Sequence, residues 1–284
     1  MNIVEIVVTG AKGQLGQALA EVLTQDLIYL TDLPDLDLRS YWATMDYFRA
    51  IRPELVIHCA ANTRVDDCEL QPDEAYQGNV IATRNVVNAC QEIDAALVYV
   101  STDYVFDGEG HAPYHEYDMC NPINVYGKTK WQGEEIVKTH LRRFYIARTA
   151  WLFGDSGSNF IKTVMKLAME MDTLKVVNDQ YGSPTYAVDL AWAIHQLIRT
   201  GAYGIYHITN EGSCSWFDFA RQILEMAEMT NKVVEPVATG ELNRPAPRPR
   251  YSVLGKEGLK SLGIEMPSYQ EALKHYFRRN PRIR

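Results

Sequence analysis

Tyr126 and Lys130, within Tyr126-Gly127-Lys128-Thr129-Lys130, set a phenol and an ammonium four residues apart. On a helix that spacing puts both side chains on one face, whereas Lys128 points elsewhere. A phenol has an ordinary pKa of about 10, too high for easy proton exchange at neutral pH. A neighbouring ammonium favours the phenolate and lowers that value, so Tyr126 beside Lys130 is expected to work as a general acid and base. Thr102, about two dozen residues earlier in Ser101-Thr102-Asp103-Tyr104, adds a hydroxyl able to hold a carbonyl or alcohol oxygen beside the phenol. Tyrosine and lysine at this spacing are common, and the bland reading is an exposed tyrosine next to a solvated lysine.

A second stretch raises the pair above chance. Val4 to Thr9 is a short apolar run rich in β-branched residues, followed by Gly10, Gly13 and Gly16 and then by the amphipathic pattern Leu15, Leu19, Val22, Leu23. Strand, glycine turn and helix in that order let backbone amides and a helix N-terminus meet a pyrophosphate. Gly10, Lys12, Gly13, Gln14, Leu15 and Gly16 are therefore expected to bind a dinucleotide. A second strand, Leu27 to Leu30, leads to Asp32, placed to accept hydrogen bonds from the adenosine ribose, which leans toward NAD. Arg39 could instead meet a 2′-phosphate, so both NADPH and NADH stay open. Asp37 and Leu38 precede a helix capped by Ser40, with Tyr41, Met45 and Phe48 as its expected buried face. With a nicotinamide in the same crevice, Thr102, Tyr126 and Lys130 suit reversible hydride transfer, the protein supplying position and proton.

The elements that must position these groups read as an α/β fold, a Rossmann-type doubly wound parallel sheet with a smaller C-terminal α/β lobe for substrate. Leu55 to Cys59 is a continuous apolar run, as for a strand covered on both faces. It ends in Ala60-Ala61-Asn62-Thr63, small residues that leave room for a flat ligand at the sheet's carboxyl edge; Cys59 through Thr63 are expected at the cofactor. His58 reads as a packed core residue. A long helix, Pro72 to Ile93, brings Asn79 toward the same crevice. Leu97 to Ser101 is the next strand, the turn-rich stretch Phe106 to Asn124 a long loop of the kind that is often functional, and Val125 the start of the helix carrying Tyr126 and Lys130. Residues 1–150 are expected to form the NAD(P)-binding unit, with a return segment at about 177–210. Residues 151–284 are expected to be mainly the smaller lobe.

The bulk numbers narrow the function. With 284 residues and 46% hydrophobic content the chain can bury a sizeable core. A formal charge of −8 argues against coating nucleic acid, which needs a large basic field. A small anionic ligand needs only a local patch, for which Arg244, Arg248, Arg250, Arg278, Arg279, Arg282 and Arg284 are candidates. Five cysteines without a C-x-x-C pair suit reduced thiols. The first residues lack a signal-peptide profile and no apolar run reaches about 18 residues, so a cytoplasmic protein without a membrane span is expected.

Taken together, Thr9-Gly10-x-x-Gly13-x-x-Gly16, Ser101-Thr102-Asp103-Tyr104-Val105-Phe106-Asp107-Gly108 and Tyr126-x-x-x-Lys130 resemble the extended short-chain dehydrogenase/reductases, and within them the reductases of dTDP-linked 4-keto sugars. Asn124-x-Tyr126-Gly127-Lys128, Arg148-Thr149-x-Trp151, Asp179-Gln180-x-Gly182-x-Pro184-Thr185 and Arg248-Pro249-x-x-Ser252-x-Leu254 extend the likeness over nearly the whole chain. The resemblance implies that Tyr126 protonates the sugar C4 oxygen while NADPH or NADH delivers hydride, with Lys130 positioning cofactor and phenol. It also implies Thr102, Asp103 and Val105 at the sugar, Trp151 as an aromatic wall, and Arg248 as a guanidinium fork for the diphosphate. Some members hold magnesium at a homodimer interface through glutamates, one early in the first helix. Ala18 stands there in this chain, so no metal ligand is assigned and a homodimer stays open. Two alternatives remain: a nucleotide-sugar epimerase or dehydratase, against which Tyr104 replaces a second acid, and a non-catalytic NAD(P)-binding regulatory subunit.

Overall fold

The computed structural model describes residues 3–281. Six parallel strands form one sheet in the spatial order Gly204–His207, Phe144–Thr149, Ala96–Thr102, Leu55–His58, Glu5–Thr9, Leu27–Thr31. Their apolar residues have no solvent-facing side to choose, because helices cover both faces. Ile6, Val7, Val8, Val56 and Ile57 are completely buried, as the uninterrupted apolar runs require. Gln14–Val22 and Ala187–Thr200 share one core with the sheet, and Tyr41–Ile51, Ala82–Ile93 and Val125–His140 share the core on the other side. From Glu5–Thr9 the chain winds to one side first and to the other afterwards, leaving a crevice at the carboxyl ends of the strands where that direction reverses.

A second core lies beyond the fifth strand. Phe153, Ile161, Leu174, Phe219, Ile223, Leu273 and Tyr276 pack together, drawn from Leu152–Phe153, Phe160–Glu170, Trp216–Met226, Tyr269–Arg279 and Thr173–Val177, which pairs in parallel with Val233–Val237. Ser215 and Ser268 start two of these helices with capping boxes closed by Asp218 and Glu271. Gly204–His207 then returns to the main sheet. Among the described residues no helix is long and apolar enough to cross a membrane.

Three local expectations need correction. Tyr41 is exposed, and the helix Tyr41–Ile51 buries Thr44, Met45 and Phe48 instead, because Tyr41 lies a turn too early to face the sheet. The stretch from Pro72 to Ile93 is helical throughout but contains a π turn at Gln77–Ile81, between Pro72–Tyr76 and Ala82–Ile93. The basic C-terminal patch is not free at Arg279, which pairs with Glu21 at 2.7 Å and Asp155 at 2.9 Å. Arg282 and Arg284 lie outside the described residues.

The helix Val125–His140 is held unusually close to the sheet. Asn124 caps it, accepting from the Gly127 amide at 2.8 Å while its own amide donates to the Pro247 carbonyl. A Cβ at Gly127 would collide with the Tyr104 carbonyl, and one at Gly133 would strike the Tyr99 phenol, so two glycines set the approach distance. Deeper in, Arg148 from the fifth strand donates to both oxygens of Glu134 at 2.9 and 2.7 Å, and the Ser101 hydroxyl donates to the same carboxylate at 2.5 Å. Both ionic side chains are essentially inaccessible to solvent. Arg148 also donates to the Glu116 carbonyl and to His207 Nε2, and lies 5.1 Å from the Phe106 ring centroid. His207 is held neutral, its pKa pulled down to about 3 by burial and then by Arg148, which suits Nδ1–H donating to the Gly255 carbonyl.

Removing one member of such a pair strands the other charge in a low-dielectric interior. Arg148→Met is expected to lower unfolding stability by about 3–5 kcal/mol in urea denaturation, and Arg148→Met combined with Glu134→Leu to recover most of that loss. Full stability of the single variant would show that the pair is not what anchors the helix.

Candidate active site

The carboxyl ends of the strands open onto a crevice of about 830 Å³. Gly10, Gly13, Gln14, Leu15 and Gly16 line its floor at the first strand, and Asp32, Asp37, Leu38 and Arg39 line the end beyond the second. Cys59 to Thr63 form the central wall. Thr102, Asp103, Tyr126, Lys130 and Trp151 line the opposite end. One continuous surface thus brings together the expected cofactor turn and the expected proton chemistry.

Two observations fit a dinucleotide to this surface. Gly10, at φ +69, lets the turn pass so near the third strand that a Cβ would sit 2.6 Å from the Ala60 amide nitrogen. Only glycine follows such a path against the neighbouring strand, which leaves the turn's backbone bare on the crevice floor. The Thr149 hydroxyl is buried on the crevice wall without a hydrogen-bond partner among the described residues, a polar atom left for something else to satisfy.

Four expected residues are not on the lining, each for a visible reason. Lys12 turns its ammonium to the Leu33 carbonyl at 2.6 Å, and only its backbone amide serves the site by donating to Asp32 at 2.9 Å. Asn79 lies behind the wall, where its carbonyl accepts from the Asn62 amide at 2.7 Å and its NH₂ donates to the Asn62 carbonyl and the Thr129 hydroxyl. It holds Asn62 in place from within the π turn. The 3₁₀ turn Asp103–Val105 directs Val105 into a buried cluster with Phe106 and Leu254. Arg248 is engaged with Asp66 at 2.7 Å and with the Ala246 carbonyl, pulling the Asp66 carboxyl below its ordinary range. Both contacts are made through Nη1.

The electrostatics differ from the simple phenol–ammonium picture. Burial pushes the Tyr126 phenol above its ordinary value, a Thr102 hydrogen bond pulls it back, and the Asp103 charge raises it further. The Lys130 ammonium lies over the Tyr99 ring, 4.1 Å from its centroid. Burial pulls Lys130 itself down to about 7, opposed by Glu134 one turn later on the same helix. Asp103 is pushed up to about 7 by burial, against hydrogen bonds from Ser252 at 2.5 Å and Thr102 at 3.0 Å. His58 is fully buried between Thr9 and Thr83 and held neutral, a core residue as expected.

The structure adds residues that motif reading missed. Trp216 lines the crevice and stacks on Trp151 with ring centroids 3.5 Å apart. Thr149 was visible only as part of Arg148-Thr149-x-Trp151, and Trp216 lies in no motif read from the sequence. The motif does not say which surface the Thr149 side chain meets.

Comparison with known proteins agrees with this geometry. Residues 4–281 match the family described as RmlD substrate binding domain. The chain is 40% identical to spore coat polysaccharide biosynthesis protein SpsK of Bacillus subtilis, covering 96% of each chain. It is 37% identical to a dTDP-4-dehydrorhamnose reductase of Aggregatibacter actinomycetemcomitans, over 95% of this chain and 97% of the relative. The crystal structure of dTDP-4-dehydrorhamnose reductase from Bacillus anthracis in complex with NADP superposes with a TM-score of 0.95 at 44% identity, covering 98% of this chain and all of that one. With the glycine turn, the strand order and the Thr102–Tyr126–Lys130 set all in place, the chain belongs to the RmlD substrate-binding-domain family, within the Rossmann-fold oxidoreductases of the extended short-chain dehydrogenase/reductase type.

Proposed function

We propose that this chain is a dTDP-4-dehydrorhamnose reductase, reducing the C4 ketone of dTDP-4-dehydro-L-rhamnose to dTDP-L-rhamnose with NADPH or NADH. The observation that carries the proposal is the convergence of Thr102, Tyr126 and Lys130 on the crevice whose other end is the glycine turn. Relatives of this name cover nearly the full chain and support the same activity.

When bound, a reduced nicotinamide supplies the hydride. Gly10 to Gly16 would hold its pyrophosphate, and Asp32, Asp37 and Arg39 would face the adenosine half. Thr102 and Tyr126 line the same end of the crevice, so a ketone oxygen placed between them would meet a hydroxyl and a phenol. A phenol kept above its ordinary value is fully protonated at neutral pH and ready to donate as the alkoxide forms. The developing phenolate then needs a cation nearby, and Lys130 on the same helix face is the group able to supply it. Tyr104, edge-on to Tyr126 with ring centroids 5.8 Å apart, offers an aromatic edge where a dehydratase would need a second carboxylic acid.

Three measurements test the reading. Tyr126→Phe is expected to cut turnover about 10²–10⁴-fold with little change in cofactor affinity, and an unaltered rate would remove Tyr126 from the mechanism. Because kcat/KM reports the free enzyme, and Lys130 carries its proton only below about 7, kcat/KM for the cofactor should fall as pH rises through that value. A profile flat from pH 6 to 9 would contradict the role of Lys130. Arg39, whose Nε and Nη2 donate to the Asp37 carboxylate, lines the crevice end beyond Asp32 and is the guanidinium assigned here to a 2′-phosphate. Arg39→Ala should weaken NADPH about 10-fold or more while leaving NADH within about twofold, as for loss of a charged hydrogen bond; equal effects on both would assign the 2′ contact elsewhere.

A further inference from the structure

Trp151 stands in a backbone conformation that bulky residues rarely adopt, with φ +47. Such strain persists only where the surroundings over-determine it, and it gathers at functional sites. Here the surroundings are identifiable. The Thr185 amide donates to the Trp151 carbonyl at 3.2 Å, and Leu152–Phe153 pairs with Thr185–Tyr186 immediately afterwards. A Cβ at Gly182 would collide with the indole at Cε2 and Nε1, so the backbone there lies directly against the ring. Tyr181–Gly182 pairs antiparallel with Cys214–Ser215, which carries the next residue, Trp216, to the same indole.

Trp216 is itself fixed. Ser215 accepts from the Asp218 amide at 3.0 Å and donates to its carboxylate at 2.6 Å, pinning the start of the helix on which Trp216 is the first residue. The Phe160 ring backs it with centroids 4.4 Å apart. The two indoles are nearly parallel, 5° apart, and both remain partly exposed on the crevice wall. If the stack served only to join the two cores, neither ring would need to reach the crevice. What the stacked pair leaves exposed, at the same end of the crevice as Thr102 and Tyr126, is apolar ring edge, a surface suited to the C–H groups of a pyranose.

We propose that Trp216 is a substrate-positioning residue, which by stacking holds Trp151 in its strained backbone and so fixes the indole edge that meets the hexose ring. The inference rests on the proposed reductase function for the identity of the sugar, but its test does not depend on turnover. The sugar's own contribution is the ratio of the dissociation constants of dTDP and dTDP-glucose, read by calorimetry on the full chain. In the wild-type protein dTDP-glucose should bind more tightly than dTDP. Trp216→Ala should reduce that ratio about tenfold, raise KM for the keto sugar more than it lowers kcat, and leave NADPH and dTDP within about twofold. Trp216→Phe, which keeps a stackable face, should restore most of the loss. Where Trp216→Ala does not fold, Trp216→Leu, apolar but unable to stack, should show the same reduced ratio.

An unchanged ratio in these variants would overturn the inference. So would a parallel loss of sugar, dTDP and NADPH binding together with a lower Tm, the signature of a merely structural stack. A wild-type protein with no preference for dTDP-glucose over dTDP overturns it as well. Failure of the wild-type protein to reduce the keto sugar would sink the reductase reading, while the binding ratio would still decide the role of Trp216.

Discussion

The buried fork between Arg148 and Glu134 is the interaction on which the site's geometry depends. It joins the helix that carries Tyr126 and Lys130 to the strand that ends in Thr149 and leads to Trp151. Charges so deep are stable only when fully matched, and here the match is complete: two guanidinium hydrogen bonds, a serine hydroxyl, and a neutral histidine on the next strand. Because a bidentate fork tolerates little rotation, it fixes the helix in register as well as in distance. The glycines at 127 and 133 then let the helix settle against the sheet without a side chain intervening.

Around that anchor the active-site groups are placed in a region where every charge is discouraged. Tyr126 is driven toward its neutral form, Lys130 toward its neutral form, and Asp103 likewise, all chiefly by burial. A site built this way stores electrostatic sensitivity: Lys130 and Asp103 both sit at about 7, where a single nearby charge tips them, while Tyr126 stays protonated. Glu134 already acts so on Lys130, favouring the ammonium across one helical turn. The anchor of the helix is therefore also part of the electrostatic setting of the lysine.

Much of this was legible in the residues. The glycine turn, the continuous apolar strands and the Tyr126–Lys130 spacing each follow from local rules, and the sheet's carboxyl edge follows from its topology. What spacing could not convey was solvation. Two side chains four residues apart share a face, but whether the lysine acts on the phenol depends on what else surrounds it, and here Tyr99 and Cys59 do. Partners distant in sequence were equally opaque. Arg248 reads as unpartnered until its Nη1 is seen 2.7 Å from Asp66, and the bonds of Asn79 to the Asn62 backbone cannot be read from the sequence. Trp216 was invisible because its importance comes from a strand pairing with residues 181–182, which no local pattern announces.

The π turn at Gln77–Ile81 has a consequence for which lengths of chain this fold can accept. A π turn holds one residue more than the α-helical turn it replaces, and an α-helix advances by about 100° per residue. Losing a single residue there would restore an ordinary helix while swinging Asn79 about a quarter turn relative to Ala82–Ile93. The Asn62 backbone would lose its brace although no contacting side chain had been altered. This helix is therefore intolerant of deletion at a place where its amino-acid identities alone would look forgiving.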